Sequence, residues 1–274
     1  GDIFCGIDIG TTNLKRGIPG EHVTHTLVFD YGDASSLKAL FDAHPGEIAA
    51  VMLEPATTML PCDQKCQHLA EWPQSSCASC PNNAGNFLHQ VQAMCRQDGA
   101  LFILDEMITG FRWHVAGAQT FFGVTPDLCT FGKGMANGYS VAAVAGRREV
   151  MRVGSIDQPG MERTFLLSTT HGAEMPGLAA FIETVRIYQE EAVTDDLWNY
   201  GKRMKSGLTE VASRHGLNQH FVMDGPAISL NYLTLDKDKK PSMALRTLYA
   251  QEMIRNGVMM PWVAVSDRKS TRLN

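Results

Sequence analysis

Two residues have the types and the placement to do chemistry together. Asp105 follows the apolar run 101–104, and Lys133 follows the run 128–131, set between two glycines in the string FGKG. Flanking glycines let a backbone turn sharply and leave room for a bulky ligand beside the lysine stem. A lysine held in such a pocket can lose its proton and attack a carbonyl carbon, forming a Schiff base. A carboxylate opposite a pyridine nitrogen keeps that ring protonated, so that the ring can act as an electron sink. Each residue also has a plainer reading. Aspartate after a strand often caps a helix, and a lysine in a glycine-rich turn is commonly solvated.

The elements that must position these two side chains are legible in the hydrophobic pattern. The apolar runs 48–53 and 101–104 read as buried strands, 128–131 as a short third strand and 141–145 as a fourth. Between them, 35–43 has Leu37, Leu40 and Phe41 at helical spacing, and 86–96 has Phe87, Val91 and Met94. Longer helices are expected over 173–189 and 194–215, strand-like alternation over 219–234, and a helix over 242–256. Strands alternating with helices imply an α/β layer around a mostly parallel sheet. Such sheets bind ligands at the carboxyl ends of their strands, where Asp105 and Lys133 would share one crevice. The shift in pattern near residue 190 predicts a larger domain over 1–190 and a smaller C-terminal α+β domain over 191–274.

The bulk composition restricts the function classes. The chain has 274 residues, 44% hydrophobic and 19% charged, with a formal net charge of −5. That balance carries no basic footprint for nucleic acid or an anionic membrane. No apolar run approaches the roughly 18 residues of a membrane span, and GDIFCGIDIG lacks the basic start of a signal peptide. A cytoplasmic protein is expected.

Three longer strings, LFILDEMITGFR (101–112), PDLCTFGKGMANGYSVAAVAGRREVM (126–151) and FLLSTTHGAEMPGLAA (165–180), occur in this order. Together they resemble the class III pyridoxal-phosphate aminotransferases, glutamate-1-semialdehyde 2,1-aminomutase and its relatives in particular. The separation 133 − 105 = 28 is similar to that family's spacing, and GTTNLKRGIPG (10–20) and HPGEIAAVMLEP (44–55) resemble its upstream portions. The resemblance implies a fold-type-I transferase with pyridoxal 5'-phosphate as cofactor, acting on a small-molecule amino donor and a keto or aldehyde acceptor. It implies that Lys133 forms the Schiff base and shuttles the substrate proton, and that Asp105 pairs with the pyridinium nitrogen. It further implies that Met107 lies against one face of the ring. Thr169, or Thr170 beside it, would reach the cofactor phosphate of a neighbouring subunit, and a homodimer follows.

The resemblance also implies a Gly-Ser/Thr phosphate loop and a stacking aromatic, both of which would fall upstream of Gly1. The closing DRKSTRLN turns abruptly basic and resembles an adapter-derived tail. A fragment truncated at both ends is therefore expected. STTHGAE differs from the GTLSGNP-like string of the aminomutase, which favours a transaminase over intramolecular amino transfer. The alternatives are the aminomutase itself, and an inactive fragment or zinc-stabilised binding module.

Two further strings carry chemistry of their own. Cys62, Cys66, Cys77 and Cys80, in a Pro- and Ser-rich insertion at about 61–81, form two close pairs compatible with a structural tetrahedral zinc. A loop of unliganded cysteines is the equal alternative. CGIDIGTTNLK is similar to the first phosphate loop of the actin-like sugar kinases. Arg16-Gly17-Ile18-Pro19-Gly20 breaks the hairpin that should follow it, and no second phosphate motif appears downstream.

Overall fold

The computed structural model describes residues 19–22, 24–56, 59–62, 86–160, 162, 172 and 174–259. Its centre is a sheet of four strands in the order β1 (Ala50–Leu53), β2 (Leu101–Asp105), β3 (Leu128–Phe131) and β4 (Ala143–Gly146). The first three are parallel, and β4 runs against β3. Register places Leu53 beside Leu104, Asp105 beside Thr130, and Phe131 beside Ala143. Asp127 locks this arrangement: its Oδ2 accepts from the Phe102 amide at 2.8 Å, and its Oδ1 meets Arg147 just past β4 at 2.9 Å.

The two helices before and after β1 begin and end where their sequences direct. In α1 (Ala34–Ala43) the Asp33 side chain accepts from the Ser35 amide, and the apolar stripe buries Leu37 and Phe41. In α2 (Phe87–Asp98) Asn86 caps the start, and Gly99, at φ 82°, closes the end in the left-handed conformation. Its face of Phe87, Leu88, Val91 and Cys95 joins Leu37, Phe102 and Leu104 in one cluster. That cluster extends to Trp113 and to Phe121 and Phe122 of a short helix, α3 (Ala118–Phe122).

Beyond β4 come α4 (Arg148–Met151), α5 (Met175–Glu190) and the long α6 (Val193–Arg214). One end of α6 enters the main core. The Trp198 ring stacks on Phe121 at 5.5 Å and 7°, and its indole N–H donates to the Trp113 carbonyl at 3.1 Å. A turn later Gly201 meets the chain at Ala227, where a Cβ would stand 1.9 Å from the carbonyl oxygen. The remaining elements are an antiparallel pair, β5 (Phe221–Asp224) and β6 (Asn231–Thr234), and α7 (Met243–Arg255). Met223, Leu230 and Tyr232 form a second, small cluster there, ringed by Phe221 and Tyr249.

The main elements lie within a few residues of the expected spans. The structure adds α3 and α4, whose five and four residues are too short to show a helical period. The sheet is mostly parallel as expected, and the antiparallel direction of β4 is one that an apolar run alone does not reveal. Among the described residues, no helix is long and apolar enough to cross a membrane.

Candidate functional site at the strand ends

Asp105 is the last residue of β2, and Lys133 lies two residues beyond the end of β3, so adjacent parallel strands deliver both to the carboxyl end of the sheet. The Asp105 carboxylate is half-buried and fixed through one oxygen. Its Oδ1 accepts from the Met107 amide at 2.9 Å and from the Thr130 hydroxyl at 3.0 Å. Thr130 is the residue directly across the ladder, which explains why a hydroxyl there can steady the carboxylate. Oδ2 takes no hydrogen bond among the described residues.

Lys133 opens a 3-10 turn, Lys133–Met135, with its own φ at 44°. A lysine in the left-handed region is strained, and such strain persists only where surrounding structure enforces it. The lysine side chain is exposed, whereas Gly132, Gly134 and Met135 around it are buried. Met107 reaches across to this turn. A Cβ on Gly132 would stand 2.3 Å from Met107 Cε and 2.8 Å from its sulfur, so the glycine makes way for the methionine. Thus Asp105, Met107 and Lys133 belong to one connected patch of backbone and side chain.

Phe111 is strained in the same way, at φ 61°. Its ring makes edge contacts with Phe131, Phe181 and Tyr188, fastening the segment after β2 to α5. Gly134 lies beneath it, with Phe111 Cβ and the Gly110 carbonyl oxygen each 3.8 Å from where its own Cβ would be. The turns after β2 and β3 are therefore packed on each other.

Two participants escape a reading by spacing alone, Thr130 and Glu106. Glu106 is fully buried and accepts from the Thr109 hydroxyl at 2.5 Å and from the amides of Ala118 and Gln119 at 2.9 and 2.8 Å. Burial pushes its carboxyl above the ordinary glutamate range, with Asp105 adding to that push and the three donors opposing it. No signal in the sequence points to Glu106 as the acceptor, because α3 is too short to show a helical period and Gly117-Ala118 offers no capping side chain to mark its start.

The remaining expected residues are less completely placed. Thr169, Thr170, Cys66, Cys77 and Cys80 lie outside the described residues. Cys62 is half-buried, and among the described residues no group of three or more His, Cys, Asp or Glu side chains could hold a metal. Two cavities lie elsewhere: about 750 Å³ between β1, α1 and the segment 24–31, and about 580 Å³ along α6 near Lys205. Neither is lined by Asp105 or Lys133, so the candidate site is located by its strand ends and not by volume.

The family profile described as aminotransferase class-III matches residues 79–260. The 3-aminobutyryl-CoA aminotransferase of Cloacimonas acidaminovorans is 31% identical over 248 residues, covering 90% of this chain and 54% of the relative. The glutamate-1-semialdehyde 2,1-aminomutase of Acetivibrio thermocellus is 32% identical over 215 residues, covering 75% and 44%. Among solved structures, the FumI protein of Sphingopyxis sp. MTA144, in its PLP internal aldimine form, superposes with a TM-score of 0.72 at 28% identity. That match covers 90% of this chain and 53% of the other. The chain spans about half the length of the curated relatives it matches.

Proposed function

Because the chain belongs to the class III aminotransferase family, we propose that it carries the lysine half of a pyridoxal-phosphate site for amino-group transfer. The transfer runs from a small-molecule amino donor to a separate keto or aldehyde acceptor. The observation that carries this reading is the pairing of Asp105 and Thr130 across β2 and β3, one turn before Lys133.

The residues present fit the cofactor. Asp105 is held by two donors on Oδ1 and keeps Oδ2 for an external N–H, which is what a protonated ring nitrogen offers. Bound pyridoxal phosphate supplies the electron sink that stabilises a carbanion at the substrate α-carbon. The chain's own residues do the rest. Lys133 Nζ would hold the cofactor covalently and, once its amine is free, would carry the proton from the substrate α-carbon to C4′ of the cofactor, the relocation that amino transfer requires. Asp105 keeps the ring nitrogen charged, and Met107 offers an apolar surface beside it. Thr169, or Thr170, is proposed to reach the phosphate of a partner subunit in a cytoplasmic homodimer. Residues 191–274 are proposed as part of a small domain.

A transaminase is favoured over the intramolecular aminomutase by the string STTHGAE (168–174). The test is direct. The chain is incubated with pyridoxal phosphate, reduced with borohydride and digested, and the modified peptide is mapped by mass spectrometry. The cofactor mass should sit on Lys133 and disappear in Lys133→Ala. A mass on another lysine, or none, would overturn the reading. A structural zinc on Cys62, Cys66, Cys77 and Cys80 is a separate proposal resting on their spacing, and metal-free purified protein would remove it.

A further inference from the structure

We infer that Glu106 is a positioning residue, whose buried carboxylate holds the connection between β2 and α3 so that Asp105 keeps Oδ2 available to the cofactor. This inference rests on the reading of Lys133 and Asp105 given above.

Every polar atom of Glu106 is engaged. Its amide donates to the Thr130 carbonyl at 2.9 Å, and its carbonyl accepts from the Gly110 amide at 2.8 Å. Oε2 takes Thr109 and Ala118, and Oε1 takes Gln119. Gly117, at φ 87°, admits this carboxylate, since a Cβ there would stand 2.7 Å from Oε1. The same neighbours serve Asp105. Thr130 accepts from Glu106 with its carbonyl and donates to Asp105 with its hydroxyl, and the Met107 amide that binds Oδ1 belongs to the next peptide. The carboxylate of Glu106 thus fixes the peptide that fixes the carboxylate of Asp105.

An isosteric amide would break this clasp. Glu106→Gln would bring an NH2 group against backbone N–H donors, and one of the three contacts must open. The Met107 amide would shift with it, and Asp105 would lose part of its orientation. A carboxylate that merely capped α3 would cost stability on removal and leave Asp105 as it was. The titratable neighbours of Glu106 are Asp105 on β2 and Cys129 on β3. Burial first, and then Glu106 itself, pushes the Cys129 thiol up to about 12, so it stays neutral through a titration near neutrality.

The experiment compares the cofactor-loaded chain with Glu106→Gln, Thr109→Val and, as a reference, Asp105→Asn. Borohydride labelling of Lys133, cofactor retention, melting temperature and the pH midpoint of the visible absorption band are followed together. Glu106→Gln should still label at Lys133, retain cofactor about tenfold less well, the factor one charge-assisted hydrogen bond carries, and move the midpoint in the Asp105→Asn direction by a smaller amount. A lower melting temperature with an unmoved midpoint overturns the inference and leaves Glu106 a helix cap. If Glu106→Gln does not fold, Thr109→Val decides, since it keeps the carboxylate and deletes one donor: a shift in the same direction supports the inference, and none overturns it. An unmodified chain that never labels at Lys133 removes the functional reading and this inference with it, whereas normal labelling with unmoved midpoints removes the inference alone.

Discussion

The strand-end region and the C-terminal β5–β6 region are held together on different scales. Around the four-stranded sheet, Leu88, Val91, Cys95, Leu104, Phe122 and Trp198 have no exposure at all, and they come from three helices and a strand. Around the two-stranded sheet, buried apolar side chains are Met223, Leu230 and Tyr232, and α7 packs beside them without burying any residue of its own. The first region is a closely packed interior, in which a displaced ring must displace its neighbours. The second is a thin layer of aromatic contacts, with Tyr232 5.4 Å from Phe221 and 5.0 Å from Tyr249. Precision at Asp105 is thus supplied by a thick core, while the C-terminal part has the few buried contacts expected of an element that opens locally.

The largest test of this contrast is Trp198→Ala. It removes a ring stacked on Phe121 and leaves the Trp113 carbonyl without its indole donor, so urea unfolding should show a loss of about 3–5 kcal/mol. A loss below about 1 kcal/mol would mean that α6 belongs to the thin region instead. Next, one substitution can be made in both regions. Leu88→Ala should cost about 3–5 kcal/mol and Leu230→Ala about 2–3 kcal/mol, with labelling of Lys133 by pyridoxal phosphate unchanged in the second. Equal losses would erase the distinction.

Two glycines of α6 sharpen it further. Gly201→Ala drives a methyl group into the Ala227 carbonyl, at a cost of about 1–3 kcal/mol. Gly207→Ala meets open space and should gain about 0.5–1 kcal/mol from helix propensity alone. Similar thermal shifts for the two would show that α6 does not press on that turn.

The smallest effect is the pH dependence of the thick core. The folded protein raises the Glu106 pKa above the ordinary 4.5, so it binds that proton more readily than the unfolded chain does. The contribution to stability is therefore complete below about pH 4.5 and is lost as pH rises through the raised folded value. Against Glu106→Gln, the unmodified protein should lose relative stability over that window. A relative gain with rising pH would reverse the assigned sign.

Legibility followed the same division. The strand 128–131 and the placement of Asp105 and Lys133 at strand ends follow from short, largely apolar runs and the glycines that bound the lysine, because half-buried and buried positions along β2 and β3 leave few polar residues to interrupt the pattern. The short α3 had no such signature, since its cap comes from Glu106, twelve positions before Ala118. Thr130 is invisible as a partner of Asp105 until the ladder sets the two side by side. The string at 141–145 marks a strand without telling its direction, because pairing, not composition, decides it.

That direction has a consequence for the lysine. Since β4 runs against β3, Phe131 and Ala143 share a rung, and residues 132–142 leave and return at the same end of the sheet. A parallel β4 would have needed a crossover of roughly a dozen residues or more over one face. Lys133 instead rides on a bridle fastened at both ends to a single rung. Closure entropy grows slowly with length, so a few residues added near 137–139 should be tolerated cheaply. Slippage of the Phe131–Ala143 rung by one place would carry the lysine off its bearing at once.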